Sequence, residues 1–173
     1  VRFYLSAVYE EKKQYKEAFQ QYMQILSSSS YFEDSRLHAA FMAKMQGNLN
    51  QAISVLKESL DKQPKNVQSY FLMSQLFEDS KDLNSAISTL KLAEKAFNSN
   101  PQVHYFIGML HDKMNAKDLM EVSMKRVIAL DAEHAQALNY LAYSWAEKGM
   151  QLDLAEKYAR KAAQIEKEDA YIL

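Results

Sequence analysis

One interval limits what this chain can fold into more than any other feature: residues of matching size return every 34 positions. Leu5, Ala39, Met73, Ile107 and Leu141 form one row. Ser6, Ala40, Ser74, Gly108 and Ala142 form a second, and every member is small. Tyr9, Ala43, Phe77, His111 and Trp145 make a third, and Ala18, Ala52 and Ala86 a fourth. Rows that stay in phase through five copies mean one supersecondary unit stacked on itself, which is a solenoid.

Within a copy the periodicity is helical. Tyr15, Ala18, Phe19, Tyr22, Ile25 and Leu26 share one stripe, at the spacing of a helix rather than a strand. With three Gly and two Pro in the chain, helices joined by short loops fit better than tight β-turns. The pattern predicts helix pairs at about 1–12 and 15–28, 34–46 and 49–62, 67–80 and 83–97, 101–114 and 117–130, and 135–148 and 152–166. Gly47-Asn48 and Gly149 supply helix stops, since Gly takes the left-handed geometry there. Pro101 suits a first helical turn behind Ser99 or Asn100 as cap. Ser27–Ser30 reads as a loop.

Places in a copy are counted so that Leu5 is seventh. Small residues at places eight and twenty let the two helices approach closely. Larger ones at seven, eleven and twenty-four (Tyr22, Leu56, Leu90 and Met124 at the last) fill the space between copies. Each such burial contributes on the order of 1.5–3 kcal/mol, and no hairpin can bury its stripe alone. Two irregularities stand out. Met120 occupies the alanine place of the fourth copy and is expected to push its two helices apart or shift their contact. In the fifth copy the small residue is Ala155, one place late, behind a longer turn.

Charge narrows the function. The 21 basic and 22 acidic side chains are spread evenly along the chain, so the basic stripe needed for nucleic acid is missing. There are no cysteines; thiolate chemistry and disulfides are excluded, while either redox compartment suits the chain. No apolar run reaches the roughly 18 residues of a membrane span. His104 and His111 lie two turns apart on one helix, about 10.5 Å of rise, too far for one metal without a third element. His38 and His134 have no ligand-spaced partner, and no HExxH, phosphate loop or GxSxG is present. No metal, cofactor or catalytic residue is expected.

These residues resemble the tetratricopeptide repeat family. Its pattern is matched best by Ala52, Leu56, Leu60 and Pro64 following Gly47, and by Tyr70, Met73, Ser74, Phe77, Ala86, Leu90 and Ala93. Departures are Met120, His111 at an aromatic place, and a closing Pro in the second copy alone. The resemblance covers the whole chain, and Ala137–Leu173 is also similar to repeats common in bacterial envelope proteins. It implies an all-α, right-handed superhelical solenoid forming a single domain over 1–173. The repeats fall at about 1–32, 33–66, 67–100, 101–134 and 135–169, with the start of a sixth at 170–173. Val1 reads as lying inside a helix already under way, so the chain is taken as a fragment of a longer protein.

The resemblance further implies a non-enzymatic scaffold whose first helices line a groove for a protein or peptide partner. Place five holds Phe3, Leu37, Phe71, Tyr105 and Asn139; place nine holds Ala7, Phe41, Gln75, Met109 and Tyr143. Most are apolar, as at a binding surface, although packing against the adjacent copy would use the same residues. The candidate groove is Leu37, Phe41, Phe71, Gln75, Tyr105, Met109, Asn139 and Tyr143. Asp34, Glu78, Asp79, Asp112 and Glu147 form a candidate acidic rim suited to a partner with apolar anchors and basic flanks. The carboxylate clamp of co-chaperone repeats is missing: the corresponding places hold Phe3, Ala7, His38, Gln68 and Leu72. Self-assembly through uncovered ends, or positioning a substrate for a catalytic partner, are the alternative roles.

Overall fold

The computed structural model describes the backbone of residues 1–171 and the side chains of residues 1–167. Among the described residues there are ten helices and no strands. They pair as hairpins: α1 (Arg2–Glu11) with α2 (Tyr15–Met23), α3 (Phe32–Met45) with α4 (Leu49–Lys62), α5 (Val67–Asp79) with α6 (Leu83–Ala96), α7 (Pro101–Lys113) with α8 (Lys117–Leu130), and α9 (Ala135–Glu147) with α10 (Leu152–Tyr171). The all-α expectation holds, and most boundaries fall within two residues of those read from the sequence.

The chain divides into two compact units, Val1–Ala96 and Phe97–Leu173. In the first, α2 packs on α1 and α3, α4 on α3 and α5, and α6 on α5. In the second, α8 packs on α7 and α9, and α10 on α9. The small rows do what close packing requires: Ser6, Ala40, Ser74 and Ala142 are all buried, as are Ala18, Ala52 and Ala86.

The same period governs how the first helix of each hairpin stops. Lys13, Gly47, Lys81, Asn115 and Gly149 all have positive φ, between 57° and 75°. The amide following each one donates to a carbonyl five residues back: Gln14 to Tyr9, Asn48 to Ala43, Asp82 to Phe77, Ala116 to His111 and Met150 to Trp145, at 2.8–2.9 Å. This is the six-to-one bond of a Schellman stop, which satisfies an orphan carbonyl. Two of the five places hold Gly; the others force a side chain into left-handed backbone at roughly 1–2 kcal/mol each. Lys81→Gly is therefore expected to raise stability by about 1 kcal/mol. Gly47→Ala, which meets no atom within 4 Å, is expected to lower it by a similar amount. Denaturant midpoints check both; unchanged midpoints would refute the strain argument.

Three expectations need correcting or bounding. First, α2 ends at Met23, not near 28, and Arg36 reaches back from α3 to the carbonyls around that end: Nη1 donates to Tyr22 at 2.9 Å, and Nη2 to Met23 at 3.2 Å and to Ile25, two residues past the helix, at 3.0 Å. Second, α10 runs through Tyr171, so residues 170 and 171 continue that helix where a sixth repeat was expected to start. Residues 172 and 173 lie outside the described residues. Third, Met120 is fully buried within one cluster with Met124, Val127, Leu141 and Trp145. In the same hairpin a Cβ at Gly108 would lie 2.7 Å from the terminal methyl of Met124.

Candidate functional site

In the first compact unit the candidate groove residues stand on α3 and α5. Leu37 and Phe71 are half-buried, while Phe41 and Gln75 are exposed. Phe41 keeps 42% of its surface open, although its neighbours Ala40, Met42 and Ala43 are buried. Of the rim, Asp34 is exposed and Glu78 half-buried. Asp79 on α5 holds Lys44 on α3 at 2.8 Å, so part of the acidic charge is already answered within the chain. An exposed pair of this kind contributes little to stability.

At place five of the first copy, Phe3 is not a free surface residue. Its ring stacks on Tyr31 at 4.9 Å and meets Tyr22 and His38 edge-on at 5.6 and 5.8 Å. Glu10 anchors this cluster, accepting from Tyr22 Oη at 2.7 Å and pairing with His38 Nδ1 at 2.9 Å. Burial, and then the Glu10 carboxylate, push the Tyr22 phenol well above its ordinary pKa.

In the second compact unit the sequence-derived residues separate into two kinds. Tyr105 and Met109 are partly buried and pack against the core cluster of α8 and α9. The Tyr105 ring lies 4.9 Å from His134 and 6.2 Å from Tyr140, and burial raises its phenol pKa. Asn139 is exposed, and Tyr143 is 63% exposed, its hydroxyl donating to Glu147 at 3.3 Å. Asp112 holds Lys117 at 2.7 Å, and that hydrogen bond raises the lysine's pKa. His104 and His111 are buried; the first meets the Asn98 carbonyl at 2.8 Å and the second lies 3.4 Å from the Ser123 hydroxyl.

One concavity was not legible in the sequence. A cleft of about 310 Å³ opens among α4, α5 and α6 in the first unit, lined by Ile53, Leu60, Tyr70, Met73, Phe77 and Leu92, with Lys57 and Asp61 at its edge. It involves second helices, whose outward residues carry no row that marks them. Among the described residues no group of three metal-type ligands occurs, and no helix is long and apolar enough to cross a membrane.

Comparison with known proteins fits this geometry. Residues 43–110 match the tetratricopeptide repeat family model. Over 172 residues the chain is 24% identical to TPR repeat-containing protein PA4667 of Pseudomonas aeruginosa. The stretch 43–110 is of the tetratricopeptide repeat type. The match takes in 99% of the chain but 29% of the length of that relative. Among solved structures, MamA superposes with a TM-score of 0.77 at 20% identity, covering 96% of each chain. A MamA fragment from Desulfovibrio magneticus gives 0.72 at 14% identity, over 96% of this chain and 94% of the other. At these identities the likeness is one of fold, the α-solenoid of tetratricopeptide hairpins.

Proposed function

We propose that the chain binds a segment of a partner protein on the outward rows of its first helices. In the first unit the surface is Leu37, Phe41, Phe71 and Gln75; in the second it is Tyr105, Met109, Asn139 and Tyr143. The observation that carries this reading is the exposure of Phe41 and Tyr143. Both stand at place nine, on helices whose packing residues Ala39, Ala40 and Met42 or Leu138, Leu141 and Trp145 are buried. Large aromatic side chains left open on such helices are what an interface core uses. Asp34 in the first unit and Glu147 in the second would meet basic residues flanking the partner's apolar anchors. Asp79 and Asp112 contribute less, because Lys44 and Lys117 already hold them. The activity is binding rather than turnover.

Phe41→Ala and Tyr143→Ala together test it. Tyr105 is the poorer choice, since it packs into the core and its loss would disturb the fold. The double variant is expected to bind a captured partner at least tenfold more weakly, about 1.4 kcal/mol. Its helicity should match wild type, and its denaturation midpoint should move by roughly 0.5 kcal/mol or less, as for surface changes. Unchanged affinity in the folded variant refutes the assignment.

A further inference from the structure

The cleft among α4, α5 and α6 has a counterpart in the second unit, among α8, α9 and α10. Two repeats on, Trp145 stands at the place of Phe77 and Lys125 at that of Lys57. With the one-place lag of Ala155, Tyr158 stands at the place of Thr89. In the second unit these side chains close the junction. The Trp145 and Tyr158 rings lie 5.5 Å apart, and Trp145 is buried. Lys125 Nζ sits 5.5 Å from the centre of the Trp145 ring, a cation over an aromatic face. In the first unit Thr89 supplies no ring, and its hydroxyl turns back to the Ser85 carbonyl at 2.8 Å. The opening of about 310 Å³ lies beside it.

The repeat therefore says what this place lacks. We propose that the cleft binds a free aromatic amino acid, its ring lying over Phe77 as the Tyr158 ring lies over Trp145. The site stands independently of the partner surface proposed above, which is built on other residues.

Size and charge narrow the occupant. The volume is at the low end for ligand sites. It suits one ring system, and a helix of about 10–12 Å diameter is too wide for it. Leu60, Met73 and Phe77 give the ring an apolar bed. At the mouth, Lys57 and Asp61 stand one turn apart on the same face of α4. Both are exposed, and neither is held by an ion pair among the described residues. Lys125, by contrast, is paired with Glu121 at 3.7 Å. Asp61 is near enough to the cleft wall that its charge, after burial, raises the pKa of the Tyr70 phenol. A ligand carrying both a carboxylate and an ammonium answers Lys57 and Asp61 together. A purely cationic or anionic ligand answers one of them and meets the other as a like charge.

The test follows amide resonances of the full chain as L-tryptophan, indole, tryptamine or indole-3-acetate is added. Saturable shifts are expected at Met73, Phe77 and Thr89, with tryptophan at least fivefold tighter than the other three. Thr89→Tyr supplies the missing ring from within. It is expected to fold and to weaken tryptophan binding at least tenfold. Lys57→Ala with Asp61→Ala changes only exposed side chains. That pair is expected to weaken tryptophan at least fivefold and to leave indole within twofold. No saturation before the solubility limit of tryptophan overturns the proposal. So does equal binding of tryptophan and indole, or full affinity in a folded Thr89→Tyr variant. If Thr89→Tyr does not fold, the paired variant decides, and unchanged tryptophan affinity there overturns the proposal. Shifts gathered at Phe41 or Tyr143 instead would put the ligand on the partner surface and overturn it as well.

Discussion

Arg36→Ala is expected to lower the stability of the first compact unit by about 3–4 kcal/mol. Arg36 is 6% exposed, and three carbonyls at the end of α2 accept its guanidinium hydrogens. The guanidinium carbon also sits 4.5 Å over the ring of the buried Phe32. Hydrogen bonds from a charged donor contribute more than neutral ones, and carbonyls left buried without a donor incur a desolvation cost. The arrangement is not free of strain. Burial lowers the pKa of the group, against an opposing pull from Glu58, and its Nε is buried without a hydrogen-bond partner. Arg36→Lys is expected to recover less than half the loss, because an ammonium cannot span three carbonyls as a planar fork does. Urea denaturation followed by circular dichroism measures both variants. A loss below about 1 kcal/mol for the alanine variant would mean that these bonds do not hold the end of α2.

The second large effect belongs to Glu121 in the second unit. Its carboxylate accepts from Ser144 Oγ at 3.1 Å, Trp145 Nε1 at 3.2 Å and Lys148 Nζ at 2.6 Å, tying α8 to the end of α9. Burial alone would raise its pKa. The hydrogen bonds from Lys148, Trp145 and Ser144 outweigh that and hold it below the usual carboxylate range. Glu121→Ala leaves the indole N–H of the buried Trp145 without this acceptor and is expected to lower stability by about 2–3 kcal/mol. The sign of the pH dependence follows from the depressed pKa. The Glu121 contribution is complete above the unfolded-state value of about 4.3 and is lost as pH falls through the lower folded value. The gap between wild type and variant should therefore be widest near neutral pH and close in acid. Lys148 behaves in the opposite sense: its pKa is raised, first by the Glu121 hydrogen bond. Its contribution persists below its ordinary value and fades as pH rises through the raised one. Urea titrations at several pH values read the gap directly, and a constant difference across the acid range would contradict the account.

The packing rows were legible because they need only side-chain size at a fixed interval, and Ala39, Ala52 and Leu141 lie where that interval puts them. The helix stops were half legible. Gly47 and Gly149 announce left-handed backbone, but Lys13, Lys81 and Asn115 adopt it without a compositional sign. Arg36 and Glu121 were not legible in their roles. Each acts through hydrogen bonds to residues 11 to 27 positions away, and a periodicity of side-chain size carries no information about such bonds. The candidate surface lies between these cases. A row can place Phe41 and Tyr105 on outward-facing registers, yet it cannot say that the first stays open while the second packs on its neighbour. That depends on the side chains opposite, such as His134 and Tyr140 beside Tyr105.

The most direct test of partner binding on the first helices is hydrogen–deuterium exchange of the chain with and without a captured partner. Protection is expected to gather on α3, α5, α7 and α9, around Phe41 and Tyr143, while α4, α6 and α8 exchange as before. Protection confined to the second helices, centred on the cleft among Ile53, Leu60 and Leu92, would contradict it.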